Sequence, residues 1–152
     1  MAESGIRLVY GGGRVGMMGI VADAVLAHGG AVLGIIPEFL MRKEVAHRAL
    51  TELIVTDSMH SRKARMAAEA DAFLCMPGGL GTLDETLEIL TWRQLGLHAK
   101  PVLLCDVGGW VRPFVAALEA SVTQGFAAAE VCAYYEVLSD VPAVLARLGA
   151  ER

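Results

Sequence analysis

Two kinds of apolar pattern alternate along this chain. Short, largely apolar runs of strand length stand at Ile6 to Tyr10, Ala31 to Ile36, Glu52 to Val55, Ala72 to Cys75, Pro101 to Leu104 and Tyr134 to Leu138. Between them the spacing turns helical. Helices are predicted from Met17 to Ala27, from Met59 onward, from Leu83 to Leu95, from Pro113 with Phe114, Leu118 and Val122 as the buried line, and from Val141 to Leu148. Strands that alternate with helices imply a mostly parallel sheet with helices on both faces, and ligands of such sheets bind at the strands' carboxyl ends. No linker, repeat or low-complexity segment interrupts the pattern, so residues 1–152 are expected to form a single domain.

The punctuation between elements carries information as well. Met1 to Ser4 followed by Gly5 has the form of a last helical turn and its C-cap. Pro37 should end the second strand, and Glu38 to Leu50 should be a polar, helical or irregular excursion. Asp57 or Ser58 can cap the following helix. In that helix Met59, Arg62, Lys63 and Met66 share one face, so two cations interrupt an apolar stripe, while Arg65 and Glu69 make an i,i+4 surface pair. Between Met17 and Ala27 only Asp23 is charged. A helix apolar nearly all round needs cover on both sides, one from the sheet and the other from a partner subunit.

The densest chemistry lies at Met76-Pro77-Gly78-Gly79-Leu80-Gly81-Thr82-Leu83-Asp84-Glu85, between a strand and a helix. Glycines let the backbone turn tightly and approach a ligand, and the first N–H groups of a helix point at an arriving anion. The string is neither a P-loop, since no Lys-Ser/Thr closes it, nor G-x-G-x-x-G. Amides from Gly79 to Thr82, the Thr82 hydroxyl and the helix dipole would suit a phosphate dianion. Two readings of Glu85 stand side by side. Thr82-x-x-Glu85 fits a capping box, which contributes roughly 1 kcal/mol of helix stability and no chemistry; alternatively the carboxylate faces a reacting bond. Asp84 and Glu88 read as first-turn charges that suit the helix dipole.

This Pro-Gly-Gly-x-Gly-Thr-x-x-Glu string resembles the signature of the LOG ("Lonely Guy") family of cytokinin riboside 5'-monophosphate phosphoribohydrolases, whose members often carry a lysine decarboxylase label. The likeness extends over Leu8 to Gly13, Ile35-Ile36-Pro37, Lys43-Glu44, Ser58 to Lys63 and Thr91 to Gly96. It implies a Rossmann-like α/β fold and hydrolysis of the N-glycosidic bond of an adenine-type nucleoside 5'-monophosphate, releasing free base and ribose 5-phosphate. It further implies Arg62 and Glu85 as catalytic groups. Glu44, Arg62, Lys63, Gly78, Gly79, Leu80, Gly81, Thr82 and Thr91 fall on its substrate- and phosphate-binding positions. No cofactor and no metal are implied. The family has a first strand, a Gly-Ser-containing loop and a first helix ahead of this point. Here that first strand and helix are expected to be missing, which puts part of the nucleotide pocket in question. The alternative is a non-catalytic nucleotide-binding or molybdenum-cofactor-type carrier of the same fold, which would need the glycine loop but not the acid. Amino-acid decarboxylation calls for a lysine that holds pyridoxal, and no lysine here stands in a context that singles it out.

Composition narrows the partners. A hydrophobic content of 55% and a mean hydropathy of +0.49 exceed what a soluble monomer needs, yet glycine, proline and charge break every apolar run below membrane-span length. The excess is expected to close a homodimer interface. Net charge is −4 and the cations are scattered, which argues against nucleic acid as a ligand. Cys75, Cys105 and Cys132 are widely spaced, and the four histidines show no metal-ligand spacing. With no signal peptide apparent, a reduced, cytoplasmic protein is expected.

Overall fold

The structure is a computed structural model and describes residues 1–43 and 46–149. It divides into two compact units, Met1–Ala70 and Asp71–Arg152. Each is built on three parallel strands.

In the first unit β1 (Leu8–Tyr10), β2 (Val32–Pro37) and β3 (Glu52–Thr56) pair in chain order. All six residues of central β2 are buried, as a strand covered on both faces requires. Helices α1 (Met17–Ala27), α2 (Glu38–Lys43) and α3 (Met59–Glu69) all pack on it. Ala22 and Val25 of α1 close a core cluster with Tyr10 and Val32. Gly5 adopts the left-handed conformation expected of a cap, its N–H donating to the Ala2 carbonyl. Pro37 is the last residue of β2 rather than the one beyond it, paired with Thr56 where no further ladder donor is needed. Ser58 caps α3: its hydroxyl accepts from the Ser61 N–H, and the Ser61 hydroxyl accepts from the Ser58 N–H. Arg65 and Glu69 form the anticipated surface ion pair at 2.7 Å.

In the second unit β4 (Phe73–Cys75), β5 (Val102–Cys105) and β6 (Glu136–Leu138) again pair in chain order, with α4 (Leu80–Gln94), α5 (Arg112–Thr123) and α6 (Val141–Gly149) between and after them. The alternation of side chains along β5 separates two cores. Val102 and Leu104 pack with Cys75, Leu90 and Val111, while Leu103 and Cys105 pack with Val144 of α6. Tyr134 and Tyr135, expected in the last strand, instead pack against the first of these cores, behind a 3₁₀ turn at Ala129–Ala133 that the apolar pattern did not signal. No helix of the described residues is long and apolar enough to cross a membrane.

Candidate functional site

The glycine loop occupies the carboxyl end of β4, as anticipated, but the helix it feeds starts earlier than its apolar spacing suggests. Helix α4 begins at Leu80 with Gly79 as its N-cap, so Gly81 and Thr82 lie inside the first turn. This removes one of the two readings of Glu85. A capping box needs its hydroxyl at the N-cap and its acid three residues on; here the N-cap has no side chain, Thr82 itself is the third helical residue, and Glu85 lies almost a full turn further along. Asp84 and Glu88 likewise fall beyond the first turn, which contains no acid. The positive end of the α4 dipole is therefore not neutralised from within that turn.

The Thr82 and Leu83 N–H groups both turn back to the Gly79 carbonyl, at 3.1 and 3.2 Å. That removes the Thr82 amide from the expected clamp. Leu80 and Gly81, as the first two helical residues, have no carbonyl of their own helix to reach. Leu80 is 87% exposed, so this helix start is open. The Thr82 side chain leans over Gly78: a Cβ built on that glycine would overlap its hydroxyl. The Thr82 carbonyl accepts from Thr86 Oγ1 at 2.7 Å, and Thr86 is buried beneath it. Glu85 is half-buried on the same helix. Thr91, further along α4, is exposed and donates its hydroxyl to the Leu87 carbonyl. Below the loop, burial pushes the Cys75 thiol above its ordinary pKa, so the strand end presents a neutral group.

In the first unit Arg62 is the most deeply placed cation among the described residues. It is only 8% exposed. Its Nε donates to the Ile35 carbonyl at 3.1 Å, which brings the guanidinium to the carboxyl-terminal half of β2. It also lies against Gly11, the residue that follows β1. Two buried cations on one face would be costly, and the structure avoids this: Lys63 is only half-buried, as are Met59 and Met66. Glu44 lies outside the described residues.

The sequence did not single out a polar cluster that lies beside the triple glycine. His47 is 2% exposed; its Nδ1 accepts from the Ala49 N–H at 3.3 Å, which leaves the proton on Nε2 to donate to Asp23 at 2.8 Å. The His47 N–H donates to the Gly12 carbonyl, and Ala46 bridges Gly13, so this segment is stitched to the triple glycine. The Tyr10 hydroxyl is buried with no hydrogen-bond partner among the described residues; burial, then the Asp23 charge, pushes its pKa up to about 12. The available signal was Asp23 as the lone charge on α1, but its partner lies 24 residues away.

Parallel strands alternating with helices, with a glycine turn at a strand's carboxyl end, define a Rossmann-like α/β protein. Solved structures share the fold. The molybdenum cofactor carrier protein of Chlamydomonas reinhardtii superposes with a TM-score of 0.70 at 22% identity, over 98% of this chain and 79% of that one. The molybdenum cofactor binding protein of Rippkaea orientalis gives 0.70 at 21%, over 99% and 80%. A family profile described as "Possible lysine decarboxylase" matches residues 18–148, and the chain belongs to that family, which includes the LOG proteins. The chain is 49% identical over 128 residues to the rice cytokinin riboside 5'-monophosphate phosphoribohydrolase LOG, covering 84% of this chain and 53% of that protein. It is 50% identical over 127 residues to the cytokinin riboside 5'-monophosphate phosphoribohydrolase of Rhodococcoides fascians, covering 83% and 64%. The chain thus spans between half and two thirds of the length of these relatives.

Proposed function

We propose that this protein hydrolyses the N-glycosidic bond of an adenine-type nucleoside 5'-monophosphate, of the cytokinin class named in its relatives, to free base and ribose 5-phosphate. The observation that carries the proposal is the open start of α4. Two amides, the Thr82 hydroxyl and a helix dipole without an acid in its first turn converge there, and together they suit a dianion. Binding the 5'-phosphate fixes the sugar so that C1' meets the reacting groups in one orientation.

In this scheme Glu85 is the catalytic acid residue. Its carboxylate stabilises the oxocarbenium-like charge at C1' or orients the attacking water. The water oxygen bonds to C1', the C1'–N bond breaks with its electron pair on the base, and the water's proton ends on the base nitrogen. Loss of the capping-box role for Glu85 favours this assignment. Arg62 supplies a fixed cation for phosphate or base, with Lys63, Glu44 and Thr91 as further substrate contacts and Gly78 to Thr82 as the phosphate loop. No metal or cofactor enters the scheme. The protein acts as a homodimer in the cytoplasm, and the exposed Met17, Met18 and Ile20 on α1 supply apolar surface for the subunit contact.

A decarboxylase would need a desolvated lysine to carry pyridoxal. The three lysines, Lys43, Lys63 and Lys100, are all at least partly exposed. Incubation with a panel of nucleoside monophosphates, with released base read by chromatography, tests the proposal. Base should appear from AMP or isopentenyl-AMP with the native chain, and Glu85→Gln should abolish release while leaving nucleotide binding intact. Tight binding without release from the native chain would favour a carrier instead.

A further inference from the structure

Three consecutive glycines follow β1, and only part of that run is explained by backbone conformation. Gly12 has φ of +73°, a region in which a side chain is strained. Gly11 is not among the residues with positive φ, so its backbone alone would accept alanine. What a side chain there would meet is Arg62. A Cβ on Gly11 would overlap Nη2 of Arg62, stand 3.0 Å from its Cζ and 3.5 Å from its Nε; beyond the adjacent residues of the chain, these are the three nearest atoms. The arginine itself is held by its Nε bond to the Ile35 carbonyl and is buried.

We infer that Gly11 is a positioning residue for Arg62: the missing side chain is the slot in which the guanidinium lies, and this slot sets the direction of its remaining donors. The inference rests on the proposed role of Arg62 in nucleotide binding. A planar guanidinium presents its N–H groups in a fixed fork, so a displaced fork loses its partners together. Of the two sides of the clash, the arginine is the one free to move. Gly11 directly follows Tyr10, which is paired with Gly34 in the sheet, and precedes Gly12, whose carbonyl accepts from the His47 N–H. A methyl at position 11 therefore displaces the guanidinium rather than the strand. The fold survives, but the cation points elsewhere.

The experiment compares Gly11→Ala, Arg62→Ala and the double variant in the full chain, with AMP as the probe. Denaturant midpoint, AMP affinity by calorimetry, kcat/KM for base release and the Arg62 Nε–H NMR resonance are measured. Gly11→Ala should keep the native midpoint, shift the Nε–H resonance, and lose about 100-fold in kcat/KM, the scale of an ångström misplacement in a reacting site. In the Arg62→Ala background it should cost nothing more. If Gly11→Ala alone fails to fold, the double variant should regain the fold, because the clash is then gone. A double variant that stays unfolded, or that is weaker than Arg62→Ala, would show that Gly11 acts through its own backbone and overturn the inference. Gly11→Ala with native AMP affinity would overturn it as well. Native behaviour of Arg62→Ala would instead remove the proposed role of Arg62, and the inference with it.

Discussion

The Thr82 side chain lies directly over Gly78, its Cβ only 2.9 Å from where a Cβ on that glycine would stand. The loop can hold the hydroxyl at the start of α4 only because position 78 has no side chain. Gly79 and Gly81 are different: a Cβ at either meets no atom within 4 Å. Gly78→Ala should therefore push Thr82 aside and weaken AMP binding, and Thr82→Val, which keeps the shape, should do the same. The expected loss is about 10-fold, or ~1.5 kcal/mol, the value of one hydrogen bond to a charged group. Gly81→Ala should leave stability unchanged or raise it by up to ~1 kcal/mol, since alanine suits a helix better, while a methyl over the open amides lowers affinity. Calorimetric titration with AMP beside urea denaturation checks this. Native affinity in all three variants would place the phosphate elsewhere.

The His47–Asp23 pair predicts an asymmetry in stability. His47→Ala removes a buried ring and leaves the Ala49 N–H without its acceptor, so it should cost about 2 to 4 kcal/mol. Asp23→Asn should cost less than about 1 kcal/mol, because an amide oxygen can accept the same Nε2–H. Urea denaturation of both variants decides it. Equal losses would mean that the charge of Asp23, and not its oxygen, is what His47 needs.

The outer face of α1 carries a prediction about assembly. Ile20 is 71% exposed, and Met17 and Met18 lie exposed in the same helix. Replacing an exposed residue should change the stability of the subunit itself by no more than about 0.5 kcal/mol. A charge buried in an apolar subunit contact is far costlier. Ile20→Glu should therefore halve the mass seen by sedimentation without lowering the thermal midpoint at high dilution. An unchanged mass would take α1 out of the interface.

The parts of the site visible in the sequence were those with local causes. The alternation of strands and helices and the glycine loop after β4 follow from neighbours in the chain, and of the two caps offered for α3, Asp57 and Ser58, the structure uses Ser58. Arg62 and Lys63 were marked together because Met59 and Met66 flank them, and of the two only Arg62 is buried. Its partners were not visible. Ile35 lies 27 residues away, and the vacancy at Gly11 is a matter of packing that no spacing encodes. The start of α4 was misplaced for a related reason. Glycine disfavours helix interiors, so Gly81 reads as loop, but in the first turn the amides have no internal partners and the helix can begin on glycine. From that one error came the capping-box reading of Glu85.

The acid limb of stability should depend on Glu69. Arg7 Nη2 bonds its carboxylate at 2.9 Å and Arg65 bonds its other oxygen at 2.7 Å. The hydrogen bond from Arg7, then the charge of Arg65, holds the Glu69 pKa below its ordinary value of 4.5. A depressed carboxylate pKa means that the unfolded chain binds the proton more readily. The contribution is thus fully present above pH 4.5 and is lost as pH falls through the lower folded value. Glu69→Gln should be less stable than the native chain at about pH 7, and the gap should be narrower at about pH 3, because below 4.5 the unfolded chain takes up the proton first and acid then drives protonation of the native carboxylate. Arg7→Ala should follow the same course, since it removes the largest cause of the shift. Urea unfolding at the two pH values measures both. Parallel stability curves, with the same gap in acid as at neutrality, would mean that Glu69 contributes through packing and not through its charge.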